Sequence, residues 1–321
     1  MRLLRRLLYA IVPLLLLLGG SELALRLAGW PKKDPKKEFT HASVYWKEAG
    51  SLHLDPKPHK ETESTFRVST DANGLRAPLH AVEKPAGTFR VMTLGCSTTF
   101  GWGVDDAETY PARLEAILNE SGHKVEVINA GQPGYTSFQG LWLWDQVLAQ
   151  YQPDVVIFGY LVQDARKVAY SDRSQATLQQ NADFLKHNLL YQSRVYLALL
   201  QAYQDFVLKS KEKGEVYRIP PEEYVANIRA FNDRTKAVGA KMVLFGFPLE
   251  REGYTAEHRG ILTAAASELG LPHYDPQADF ERYSATETLF FPQDRGHANA
   301  AGLDRLAQGM AQFLIAERLV P

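Results

Sequence analysis

The chain has 321 residues, 45% of them hydrophobic, enough for one large domain or two small ones with a real core. Its 36 Lys and Arg balance 37 Asp and Glu to a net charge of -1, which excludes a general field for nucleic acid or for acidic substrates. Cys96 is the single cysteine, so an intrachain disulfide and a cysteine-rich metal site are excluded, and the nine histidines lack paired-ligand spacing; no cofactor is expected.

Residues 1–30 read as a signal anchor. Arg2, Arg5 and Arg6 precede Leu7 to Gly20, which carries no charge, and apolar character continues past Glu22 and Arg26 to Ala28. About 22 helical residues at about 1.5 Å each would cross a hydrocarbon core. Glu22 and Arg26 are spaced to pair on one helix face. The alternative is a cleaved secretory signal, with Gly19 and Ser21 as the small residues before the cut. The arginines argue for a cytoplasmic amino terminus, but Lys32, Lys33, Lys36 and Lys37 nearly cancel that bias from the other side.

Residues 31–88 form a linker and an N-terminal arm. Pro31 and Pro35 make the lysine cluster a solvated linker, and Tyr45 and Trp46 read as packing residues. The alternating run Thr65 to Val68 and the Asn73-Gly74 turn predict a hairpin or an extended arm lying on the main domain.

From residue 89 to 321 the pattern alternates strand and helix. Strands are predicted at Phe89 to Leu94, Val125 to Asn129, Val155 to Gly159 and Lys241 to Gly246, with a weaker one at His273-Tyr274. Helices are predicted at Tyr110 to Glu120, Thr136 to Gln150, Pro221 to Val238, Thr255 to Leu269 and Ala300 to Arg318, with Gly122, Gly239 and Gly270 as closing residues. This alternation predicts an α/β fold, a parallel sheet covered on both faces in three α/β/α layers. A helical insert at about 165–220, rich in aromatic residues such as Tyr191, Tyr196 and Tyr203, is either a cap over a site or a helical hairpin on the sheet.

Chemistry gathers where strands end. The first strand runs into Gly95-Cys96-Ser97, which delivers a serine at the sheet's carboxyl edge. The second runs into Asn129 to Gly134, whose glycines let backbone N–H groups approach a ligand. The third runs into Gln163-Asp164. Near the end, Asp294-Arg295-Gly296-His297 offers a carboxylate three residues before an imidazole. A serine hydroxyl becomes a nucleophile at neutral pH when an oriented imidazole takes its proton, so this set suits acyl transfer. Trp102, Trp142 and Trp144 read as packing residues, with Trp102 also near enough to line a pocket. Asp105-Asp106 reads as a solvated turn, and His273 and Asp275 as structural.

Taken in order, these blocks resemble the GDSL/SGNH hydrolase superfamily from about Phe89 to the carboxyl terminus. Thr99-Phe100-Gly101 and Asn299-Ala300-Ala301-Gly302 flank the first and last blocks as the resemblance requires. Asn73-Gly74-Leu75-Arg76 is similar to a segment of membrane-anchored, exported bacterial members. The resemblance implies a flavodoxin-like sheet, Ser97 as nucleophile, His297 as general base and then acid, and Asp294 as its orienting carboxylate. It implies oxyanion donors from the N–H groups of Ser97 and Gly134 and the amide of Gln163.

Two positions depart from the pattern: Cys96 stands where aspartate is usual and Gln163 where asparagine is usual. Cys96 as the attacking group is the lesser alternative, because adjacent side chains point apart. Gln163 keeps an NH₂ donor on a side chain one methylene longer. The expected function is an esterase or O-acyltransferase acting on acyl, above all acetyl, esters of an extracytoplasmic glycan or lipid. The expected location is the cytoplasmic membrane with the main domain outside, or secretion if the leader is cleaved. The alternative from another class is a non-catalytic binding module of a cell-envelope assembly.

Overall fold

The computed structural model describes residues 2–30, 66–168, 170–174, 176, 190–211, 216–251, 253–292 and 294–321. The linker lysines, Tyr45, Trp46, Thr65, residues 177–189 of the insert and Gln293 lie outside the described residues. The chain divides into two compact units, one from residues 1–43 and 168–216, the other from 44–167 and 217–321.

In the first unit, helix α1 (Arg2–Leu27) packs on helix α5 (Arg194–Lys211). Glu22 and Arg26 pair at 2.7 Å as their spacing predicts. Glu22 also accepts from the backbone N–H groups of Arg194 and Val195, at 2.9 and 3.0 Å, and from the Ser193 hydroxyl at 3.0 Å. A carboxylate thus sits on the amide-rich start of α5, where unsatisfied N–H groups attract negative charge. Among the described residues, no helix is long and apolar enough to cross a membrane.

The second unit is built on a five-stranded parallel sheet. Chain order gives β1 (Phe89–Gly95), α2 (Ser97–Phe100), α3 (Tyr110–Glu120), β2 (Val125–Gly131), α4 (Ser137–Gln146), β3 (Val155–Phe158) and β4 (Lys167–Val168). After the first unit's insert come β5 (Val216–Tyr217), α6 (Pro221–Ala237), β6 (Lys241–Phe245), α7 (Ala256–Leu269) and β7 (His273–Tyr274). The chain ends with α8 (Gln277–Tyr283), β8 (Phe290–Phe291), β9 (Asp294–Ala298) and α9 (Ala300–Ala316). The sheet order is β2-β1-β3-β6-β7, the flavodoxin-like order, so the chain switches sides beside β1.

Alternation along each strand feeds two cores. Val91, Val127, Ile157 and Val243 point to α3 and α9, meeting Leu114, Leu118, Leu306 and Met310. Met92, Leu94, Ile128, Val156, Phe158 and Leu244 point the other way, to α4, α6 and α7, meeting Leu143, Trp144, Ile228, Phe231 and Leu262. Near-continuous burial of β1 and β3 is what a sheet covered on both faces demands. Helix α3 starts where the Thr109 hydroxyl accepts from the Ala112 N–H, and α9 where Asn299 accepts from the Gly302 N–H.

Three differences from the sequence reading have local causes. The helix predicted to reach Gln150 stops at Gln146, and a tighter turn from Leu148 to Tyr151 follows. That turn buries Tyr151, whose carbonyl takes Arg90 Nη1 at 2.6 Å and whose hydroxyl donates to Asp71 at 2.9 Å. The stretch after Phe291, where no strand is predicted, is the strand β9, paired antiparallel with β8. Asp106 is more than a solvated turn residue, since it pairs with the buried Arg76 at 2.9 Å.

The arm lies on this unit. Asp71 organises the predicted turn, accepting from the N–H groups of Asn73 and Leu75, and Thr70 and Arg76 bridge across it. Arg76 bridges in turn to Asn129 on β2.

Candidate active site

Strand β1 ends at Gly95, and Ser97 is the first residue of the single turn α2. That turn packs against β2 so closely that a Cβ on Gly131 would collide with the backbone of Thr99 and Phe100, which explains a glycine at this place. Ser97 is 8% exposed, and its N–H, first in the turn, has no intrahelical acceptor.

The turn is fixed from behind by the arm. Arg76, fully buried, donates to the carbonyls of Phe100, Gly101 and Val104 at 2.8, 2.6 and 2.6 Å. Gln132 donates to the Gly74 carbonyl at 3.0 Å. The Asn73 to Arg76 segment therefore acts as a brace on the loop that follows the serine.

Asp294 and His297 both come from β9. Residues three apart on a regular strand face opposite sides, so their meeting needs an irregularity. The β8–β9 ladder shifts register between Phe290 and Phe291, with Gly296 on the bent segment. Asp294 Oδ2 lies 2.5 Å from His297 Nδ1, and His297 Nε2 lies 2.7 Å from Ser97 Oγ. An ionised carboxylate only accepts, so Nδ1 carries the proton and Nε2 presents its lone pair to the serine hydroxyl.

The carboxylate is held ionised. Burial pushes the Asp294 carboxyl up, but the hydrogen bond and charge of His297 and the Gly296 N–H outweigh it, leaving the carboxyl below its ordinary value.

Ser97 and His297 open into a pocket of about 480 Å³, also lined by Trp102, Gly134, Gln163, Arg166 and Tyr254. Gly134, in the left-handed region at φ 80°, and Gln163 thus reach the same cavity as the serine. Asp164 does not face it: buried, it accepts from the Ser137 N–H at 3.0 Å and the Ser137 hydroxyl at 2.5 Å, tying the loop after β3 to the start of α4. His273 and Asp275 lie at the β7 edge, where Asp275 pairs with Arg259.

The model of the GDSL-like lipase/acylhydrolase family matches residues 93–305. The chain belongs to that family. Its class is therefore ester hydrolysis, and the match runs through every block that lines the pocket. Among solved structures the chain is similar to LAE5, an alpha/beta hydrolase enzyme from the metagenome of Lake Arreo, at 20% identity over 73% of this chain and 95% of that one, TM-score 0.48. It is similar to TesA at 18% identity over 72% and 99%, TM-score 0.49. It is also similar to Axe2, an acetylxylan esterase from Geobacillus stearothermophilus, at 16% identity over 70% and 94%, TM-score 0.47. No curated protein matches.

As a GDSL-like chain it has pocket residues that pattern reading did not single out. Tyr254 and Arg166 carry no motif. Trp102, read as a packing residue near enough to line a pocket, does both, sitting edge-on to Phe66 at 5.4 Å while lining the cavity.

Proposed function

We propose that the chain is a serine ester hydrolase that removes an acyl group, acetyl above all, from an extracytoplasmic glycan or lipid through an acyl-serine intermediate. One observation carries the reading: an unbroken hydrogen-bonded relay from Asp294 through His297 to Ser97, opening into a cavity with room for an ester. A binding module has no chemical use for that relay.

In this reaction Ser97 Oγ bonds to the ester carbonyl carbon while its proton passes to His297 Nε2. The carbonyl π pair moves to oxygen, giving an oxyanion that meets the N–H groups of Ser97 and Gly134 and the Gln163 amide. Asp294 stabilises the imidazolium. The tetrahedral species collapses, the C–O bond to the alcohol breaks, and the leaving oxygen takes the proton from His297. Water repeats the sequence on the acyl-serine and releases the acid. A sugar hydroxyl in the place of water would make the same chemistry an O-acyl transfer.

The N-terminal helix is proposed as a membrane tether with the catalytic unit outside the cytoplasm. The uncharged Leu7 to Gly20 stretch supports this, as do the exposed side chains of Leu14 to Leu18. Retention in the membrane pellet after alkaline carbonate washing is the expected result; release into the wash would refute the tether.

Hydrolysis is tested with the purified chain on p-nitrophenyl acetate and on acetylated glycans, beside Ser97→Ala. Turnover is expected to fall to background in the variant. Equal rates would sink the hydrolase reading for these substrates.

A further inference from the structure

Gln163 is one methylene longer than the asparagine usual at its position, and a longer amide needs something to aim it. Arg218, just after β5, supplies that. Its side chain is 2% exposed. Its Nη1 donates to Gln163 Oε1 at 3.0 Å and to the Gly134 carbonyl at 2.8 Å. Its Nη2 donates to Gln139 Oε1 at 3.2 Å, and that same oxygen accepts from the Thr136 N–H at the start of α4. One guanidinium thus joins the loops that follow β2 and β3. Its own backbone is pinned to the second of them, Arg218 N–H donating to the Arg166 carbonyl at 2.8 Å and Ile219 N–H to the Asp164 carbonyl at 3.2 Å.

We infer that Arg218 is a positioning residue for the oxyanion site, setting the direction of the Gln163 amide. The inference rests on the hydrolase reading above. A guanidinium only donates, so the amide atom that meets it must be oxygen, which leaves the NH₂ group as the free end. Arg166 Nη1, 3.4 Å from the same oxygen, enforces the same choice. Positive charge on the amide oxygen also draws electron density from the N–H bonds and strengthens them as donors. The extra methylene is then the length needed to reach Arg218: asparagine would withdraw the amide by roughly one C–C bond, about 1.5 Å.

The test uses the full-length chain with p-nitrophenyl acetate, measuring kcat, KM and the melting temperature. Gln163→Glu keeps an oxygen for Arg218 and removes the NH₂ donor; kcat is expected to fall about 10²- to 10³-fold with KM little changed and no loss of melting temperature. Arg218→Lys keeps the charge and loses the fork; kcat is expected to fall at least about tenfold in the native background and no more than about threefold in the Gln163→Glu background, because the group it acts through is already gone. Gln163→Asn is expected to be slower than the native chain.

Wild-type kcat in Gln163→Glu would overturn the inference. So would a loss confined to KM, or an Arg218→Lys effect of equal size in both backgrounds. If Arg218→Lys does not fold, Gln163→Asn decides, since faster turnover there would mean that glutamine is misplaced rather than held. Ser97→Ala separates the two levels: activity that survives it overturns the hydrolase reading and this inference together, whereas Ser97-dependent activity indifferent to Gln163→Glu overturns the positioning role alone.

Discussion

Cys96 stands one residue before Ser97, and its chemistry follows from where it points. It is 1% exposed and packs with Val162 and Leu249, its sulfur 3.3 Å from Thr98 Oγ1. Burial pushes the thiol's pKa up, so little thiolate exists at neutral pH, and thiolate is the reactive form. Cys96→Ala is expected to keep esterase activity, and the native chain to resist alkylation by iodoacetamide until it unfolds. Loss of activity with the fold intact, or rapid native alkylation, would return the cysteine to consideration.

Asp294 behaves in the opposite sense. A carboxyl whose pKa is depressed on folding contributes stability that is complete above its unfolded value, near 3.9, and is lost as pH falls through the lower folded value. The melting-temperature gap between the native chain and Asp294→Asn should therefore be present at about pH 5 and close as the pH drops below about 4. A gap that widens on acidification below that point would contradict the ion-paired carboxylate. The meeting of Ser97, Asp294 and His297 was legible in the sequence because each sits in a short run whose residue types are tied to one chemistry. Arg218 was not, because its partners stand 55 and 84 positions away and no local pattern marks it.

At the scale of elements, the serine turn depends on what braces it. Arg76 satisfies the carbonyls of Phe100 at the end of α2 and of Gly101 and Val104 after it while pairing with Asp106, and Asn129 adds a donor to the Phe100 carbonyl at 3.3 Å. Removing the guanidinium leaves the buried carbonyls of Gly101 and Val104 without this donor, a loss of about 1–3 kcal/mol for each buried group left unsatisfied. Arg76→Met is expected to lower the denaturant midpoint accordingly and to reduce kcat beyond what residual unfolding explains, since the brace holds the turn that carries Ser97. Stability within about 0.5 kcal/mol of the native chain would refute the brace. The parallel strands were readable from continuous apolar runs, and the helices from period and closing glycines: Gly122, Gly239 and Gly270 all adopt positive φ. The β8–β9 hairpin was not readable, because β8 is two residues long and β9 is polar and bent, so neither offers a period to count.

Across the whole molecule, sheet order explains why distant blocks meet. The chain passes from β1 to β2 on one side and to β3 on the other, so Ser97, Gly134 and Gln163 all follow strands at one carboxyl edge, while the β8–β9 hairpin brings His297 there from the end of the chain. The other unit follows a different logic, joining the first helix to an insert far away in sequence, and its key contact is a single carboxylate. Glu22 accepts from two amides at the start of α5 and from the Ser193 hydroxyl, while Arg26 donates to the Gln192 carbonyl at 2.6 Å. Helices in proteins draw most of their stability from packing rather than from propensity, so the start of α5 depends on that cap and on packing against α1. Glu22→Ala in the full-length chain is expected to speed amide hydrogen exchange across residues 193–200, while β1, β3 and β6 keep their protection because their ladders are internal to the other unit. Glu22→Gln, which keeps an acceptor but not the charge, should fall between the two. Unchanged exchange at the start of α5 in both variants would show that α1 packing alone holds the insert, and the carboxylate would lose its role as the clasp of this unit.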